Sequence, residues 1–203
     1  MINTGVDDVT RRWTLRLVVG LAAGAVLLSG CSNQQEANDT LPGADATPSA
    51  SEAELPPLGP PDLPMPAEAR HKTPEGALAF TEYYINLNSY ISDGPRDPQP
   101  LLELSQDCTH CTQVAQSYLE DRTAGYSYAP LTYTFEGAGP GLLSGTEAQV
   151  GFVYSQSQFT VLDKGGEAIQ ERSAPATGPL QSGALLVWEP SYRSWLVREL
   201  TIG

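Results

Sequence analysis

Apolar side chains change their spacing part-way along this chain, and that change limits the folds open to it. Between Ala77 and Ile91 they recur every three or four positions, with Phe80, Tyr84 and Leu87 on one stripe and Tyr83 and Tyr90 beside it. That is the period of an amphipathic helix. From Leu131 they recur every second position, where Leu131, Tyr133 and Phe135 alternate with Thr132, Thr134 and Glu136 as in a half-buried strand. Helices followed by strands make an α+β domain, with N-terminal helices packed on a curved, mainly antiparallel sheet.

Local signals set the expected ends of these elements. Thr73 is a good N-cap, Pro74 suits the first helical position and Glu75 complements the helix dipole, while Ser92-Asp93-Gly94-Pro95 stops the helix. Asp97-Pro98 opens a short helical turn through Leu101, Leu102 and Leu104. A third helix is expected from about Thr112 to Ala124, with Val114, Ala115, Tyr118 and Leu119 facing the core and Gly125 just past its end. Beyond it, Gly137 to Gly145 reads as a loop; it lacks the Lys-Ser/Thr of a phosphate-binding loop. Thr146 to Leu162 reads as a long β segment with Ala148, Val150, Phe152 and Tyr154 on one face, and with a bend or bulge near Gln156-Ser157-Gln158. A short edge strand is expected at Glu167 to Arg172, then a loop to Gly183. A hairpin closes the chain, its turn at Pro190 to Ser194 flanked by Trp188 and Trp195 as a cross-strand pair.

Upstream of this domain the chain has another character. Arg11, Arg12 and Arg16 precede an apolar run from Leu17 to Leu28, and Leu28-Ser29-Gly30-Cys31 has the form of a lipobox. Twelve apolar or small residues span only about 18 Å as a helix, against a hydrocarbon core of roughly 30 Å, so the run suits a cleaved signal better than a permanent span. Thr10-Arg11-Arg12-Trp13-Thr14-Leu15-Arg16 resembles the twin-arginine export pattern, with Thr14 where that pattern has Phe; general secretion is the alternative route. Residues 1–30 are thus expected to be removed. Cys31 is expected to carry the acyl chains that hold the protein on the extracytoplasmic face of the cell membrane, two or three chains anchoring stably where one does not.

Residues 31–68 are expected to be a disordered tether: Pro, Ala and Ser dominate, and Asn33 to Glu68 holds seven acidic and no basic residues. Residues 69–203 then form the single globular domain. Losing three Arg and two Asp with the signal leaves 22 acidic and 8 basic residues, a net charge of −14. Nucleic acid and anionic headgroups are poor partners for such a surface.

One motif has chemical potential. With Cys31 assigned to lipid, Cys108-Thr109-His110-Cys111 holds the only remaining cysteines, and outside the cytoplasm a two-residue gap favours a local disulfide. Thiol–disulfide exchange is the competing reading, because a helix N-terminus lowers a thiol pKa and His110 lies between the thiols. Zinc is disfavoured, since His71 is the only other histidine; haem attachment fails because Thr112 follows Cys111. No cofactor or metal is expected. Glu103 and Asp107 are candidate carboxylates, although N-capping and solvation explain both.

The lipobox, the Pro-rich tether, Lys72-Thr73-Pro74-Glu75-Gly76-Ala77, the helix with Phe80 and Tyr83-Tyr84, Cys108-x-x-Cys111 and the Trp195-Leu196-Val197 strand together resemble an uncharacterised actinobacterial lipoprotein family with a domain of unknown function. The order of elements is similar to the cone of nuclear transport factor 2 and ketosteroid isomerase. That resemblance implies a pocket between helices and sheet, for which Phe80, Tyr83, Tyr84 and Trp188 are the candidate lining residues. It implies no activity, since the fold hosts enzymes, ligand binders and interaction modules, and no isomerase residue pattern is matched here. The expected function is a non-enzymatic binding or accessory module facing an envelope protein or a small hydrophobic ligand. The alternative is an extracytoplasmic enzyme, acting by exchange at Cys108/Cys111 or by chemistry in the pocket.

Overall fold

Helix α1 (Pro74–Ser92) begins where its sequence says it should. Thr73 Oγ1 accepts from the Gly76 N–H at 3.0 Å, and Pro74 opens the first turn. This is a computed structural model, and it describes residues 57–94 and 97–203. The expected signal, Cys31 and the tether as far as residue 56 lie outside the described residues. The stripe from Ala77 to Ile91 is buried, Phe80 and Leu87 wholly so; removing each such side chain from water contributes about 1.5–3 kcal/mol.

Helix α2 (Gln99–Glu103) starts after Asp97, whose Oδ1 accepts from the Gln99 N–H at 3.1 Å. Helix α3 (Thr109–Ala124) starts three residues before the expected Thr112, because Cys108 itself caps it, Sγ accepting from the Cys111 N–H at 3.1 Å. It ends at Gly125, whose φ of 73° closes the helix in the left-handed region that glycine occupies without strain.

Seven strands follow: β1 (Ser127–Tyr128), β2 (Tyr133–Gly137), β3 (Leu142–Ser144), β4 (Glu147–Gln156), β5 (Val161–Leu162), β6 (Thr177–Glu189) and β7 (Ser194–Thr201). The main sheet runs β2-β4-β6-β7, with β3 also on β4, and β1 pairs with β5 in a separate ribbon; every pairing is antiparallel. Ala148, Val150, Phe152 and Tyr154 of β4 face the core on alternate positions, and α1 lies against β4 and β2. Past β7 the sheet edge is taken up by the α2–α3 connection. The Val197 N–H donates to Leu104 O at 2.9 Å, and Val197 O accepts from the Gln106 N–H at 2.8 Å. Among the described residues no helix is long and apolar enough to cross a membrane.

Several expectations need correction. The edge strand at Glu167–Arg172 is instead a 3-10 turn at Gln170–Arg172, and the loop before Gly183 is strand, β6 starting at Thr177. Pairing of Thr177 and Leu180 with β4 carries Gly178 and Pro179, which have no strand preference of their own, into the strand at a register shift. Within the Gly137–Gly145 loop lies β3, again because β4 offers it an edge. The long segment to Leu162 is interrupted, with a register shift between Tyr154 and Gln156, and its last two residues leave to pair with β1.

The tether expectation also shortens at its C-terminal end, since residues 57–68 pack on the domain. Met65 and Ala69 are buried, Leu58 and Leu63 lie against the core, and the Tyr83 hydroxyl donates to Leu63 O at 2.9 Å. Gly59 makes that approach feasible: its φ is +86°, and a Cβ there would stand 1.8 Å from the Tyr83 hydroxyl. We call residues 57–71 the strap.

Candidate functional site

The far end of α1, the start of α3 and the last residues of β4 and β7 do not close on one another. They leave a cavity of about 220 Å³. Helix α1 contributes Tyr84 and Asn88, one turn apart, with Ile85 beside them; α3 contributes Cys111 and Val114; Leu200 and Ile202 come from β7 and the residues after it. Beside it lies a more open cleft of about 410 Å³, lined by Tyr118, Asp121, Tyr128, Phe159 and Arg172. The two share Asn88, Val114 and Gln156 as a common wall.

Polar groups in these walls are paired in a defined order. Asp121 is 3% exposed; its Oδ2 accepts from the Tyr128 hydroxyl at 2.8 Å and its Oδ1 is ion-paired with Arg172. Arg172 also reaches Glu120 at 3.8 Å. Tyr128 meets Tyr118 edge-on, with ring centroids 5.5 Å apart, and Phe159 at 5.3 Å. The Tyr118 hydroxyl donates to Asn88 Oδ1 at 3.1 Å, and the Tyr154 hydroxyl to Gln156 Oε1 at 2.7 Å. Burial penalises the phenolates, so the Tyr118 and Tyr128 pKa values rise well above that of a free tyrosine and that of Tyr154 is pushed up to about 12. All three remain O–H donors at any physiological pH.

Of the four residues expected to line a pocket, Tyr84 is in the cavity wall, although its hydroxyl is committed to Leu101 O at 3.0 Å. Phe80 is fully buried in the core. Tyr83 faces the strap, and Trp188 packs on Trp195 across the hairpin, ring centroids 5.2 Å apart. None of these three lies in the walls of the cavity or the cleft. Cys108 and Cys111 are joined in a disulfide, both residues buried at 3% and 2% exposure. Glu103, Asp107 and His110 are exposed, with His110 at the cavity rim. Among the described residues no group of three or more His, Cys, Asp or Glu could hold a metal ion.

Sequence reasoning passed over Asn88, Asp121, Tyr128, Gln156 and Arg172. Two of them carried a signal. Asp121 stands three residues after Tyr118 and Asn88 four after Tyr84, so each polar side chain falls on the core-facing stripe of its helix. A polar residue on such a stripe needs a buried partner.

The family of unknown function DUF6318 matches residues 51–199. The chain belongs to this family. No curated protein matches the sequence. Among solved structures, the intermembrane space region of the chloroplast protein ARC6 aligns with a TM-score of 0.51 at 15% identity, over 65% of this chain and 97% of that one. A nuclear transport factor 2-like superfamily protein from Salmonella enterica serovar Typhimurium aligns at 0.37 and 16%, over 62% and 88%. At such identity the ARC6 likeness concerns the fold alone, an α+β domain with a mostly antiparallel sheet.

Proposed function

We propose that this member of the family is a lipid-anchored, extracytoplasmic binding module of the cell envelope, non-enzymatic, whose domain has the cone form of nuclear transport factor 2 with its ligand site in the cavity under α1 and α3. Anchoring through Cys31 rests on the lipobox. Binding rests on one observation: an apolar cavity with few polar groups in its wall, beside a buried carboxylate that is already spent. Asp121 is held by Arg172 and Tyr128, so the one deeply buried acid among the described residues lacks the freedom a general base needs. Exchange at Cys108/Cys111 is disfavoured by the burial of both residues, because reactive cysteines are at least partly exposed.

Native mass spectrometry of the full chain extracted from envelope tests the reading. A small-molecule adduct is expected on the wild type and its loss on Val114→Trp, which fills the wall between cavity and cleft, with the fold of the variant checked by circular dichroism. Adduct-free wild type would overturn the binding module; a Cys31→Ala chain that still fractionates with membrane would overturn the anchor.

A further inference from the structure

Two side-chain amides form the boundary between cavity and cleft, and both are held the same way round. Asn88 Oδ1 accepts from the Tyr118 hydroxyl and Gln156 Oε1 from the Tyr154 hydroxyl. With each phenol donating to the amide oxygen, the NH2 end of the same amide is turned away from it. Neither NH2 group has a protein acceptor among the described residues, and neither nitrogen is sealed from solvent without a partner. Both residues line the cavity and the cleft alike. Of the other polar groups, the Tyr84 hydroxyl is used by Leu101 O, Arg172 is paired with Asp121, and His110 stands at the exposed rim. The cavity wall thus holds two amides whose NH2 donors are unspent, beside an apolar surface made by Ile85, Leu101, Val114, Leu200 and Ile202.

Resting on the binding reading above, we infer that Asn88 and Gln156 are the specificity-determining donors of the cavity, and that its ligand is a small amphiphile with an aliphatic body and an acceptor head, a carbonyl or carboxylate. The volume supports a slender ligand, since about 220 Å³ is below the roughly 300–1,000 Å³ of pockets for drug-sized molecules. An ammonium head is rejected, because placing a donor against two donors leaves all of them unsatisfied on desolvation. Tyr118 acts as a positioning residue through Asn88, and Tyr154, itself in the cavity wall, holds Gln156.

Titration of the full chain with octanoate, methyl octanoate and octylamine, followed through the side-chain NH2 resonances of Asn88 and Gln156, tests this. Octanoate and its ester are expected to shift both amide signals, and octylamine to bind at least tenfold more weakly, the weight of about one hydrogen bond. The ester matching or exceeding the acid would mark the neutral carbonyl as the natural head; the acid leading would mark the carboxylate. In Asn88→Asp and Gln156→Glu the phenol keeps its acceptor while the outward donor becomes an acceptor, so the order of octanoate and octylamine is expected to invert. Tyr118→Phe and Tyr154→Phe release the amides to turn over and are expected to narrow the selectivity without inverting it.

Octylamine binding the wild type as well as octanoate would overturn the inference and leave the binding module standing, and this comparison needs no variant to fold. If none of the three probes binds, the inference falls also. An envelope-derived adduct by mass spectrometry would then keep the binding reading alone.

Discussion

Around Trp195 the protein is closed by apolar packing and strap contacts, whereas around Asp121 charge and phenol hydroxyls hold the elements together and leave a cavity beside them. At the first end Trp195 is fully buried, its indole N–H donates to His71 O at 2.9 Å, and Trp188 meets it in a T-shaped pair. Non-directional packing fills space as it stabilises. At the second end the pairs Asp121–Arg172, Tyr128–Asp121 and Tyr118–Asn88 fix atoms at set distances and directions, and the space between such pairs need not fill. The contrast teaches that this cavity and cleft open where directional contacts, more than apolar packing, set the spacing of the elements.

The largest expected effect lies at the packed end. Trp195→Ala should lower stability by roughly 3–5 kcal/mol, read from urea denaturation, because a large buried side chain and its part-buried hydrogen bond go together. A loss under about 1 kcal/mol would break the contrast by showing that the strap end carries little. Next comes Asp121→Ala. It removes the partner of a cation one-third exposed and should lower stability by roughly 1–3 kcal/mol, with amide exchange rising in β1, β5 and the end of α3 while the hairpin stays protected. Uniform loss of protection would mean that the two ends unfold as one unit. Smallest in reach is the Cys108→Ser/Cys111→Ser pair, which opens a very short loop and should lower stability by about 2 kcal/mol in the chain-entropy picture. Its effect should be confined to the cavity rim, reported as weaker octanoate binding with no change at Trp195 fluorescence.

The same contrast governs what could be read in advance. Helix α1 and the closing hairpin were legible because their apolar residues repeat with the period of the element and their caps and turns are local; Thr73-Pro74, and Trp188 opposite Trp195, need no knowledge of distant residues. The Asp121 cluster was not legible, since its partners Tyr128 and Arg172 lie in a two-residue strand and a 3-10 turn with no period to recognise. The strap was misjudged for a related reason. Its Pro-rich composition argues for a tether, and only the assembled surface of Tyr83, Trp195 and the β6–β7 turn supplies what Leu58, Leu63 and Met65 pack on. Likewise β3 and the first residues of β6 are strands by virtue of the β4 edge and not of their own composition.

The strap has a mechanical consequence. Arg70 donates to Tyr192 O at 2.6 Å, His71 O receives the Trp195 indole, and Ser194 donates to Met65 Sδ at 3.4 Å, so residues close to the start of the described chain are fastened to the hairpin near its end. A pull applied upstream of Pro57 would first load the contacts of Asp62 with Tyr90 and of Leu63 with Tyr83 on α1, and only then the fastening to the hairpin. The cavity residues Tyr84, Ile85 and Asn88 stand on the helix that takes this load.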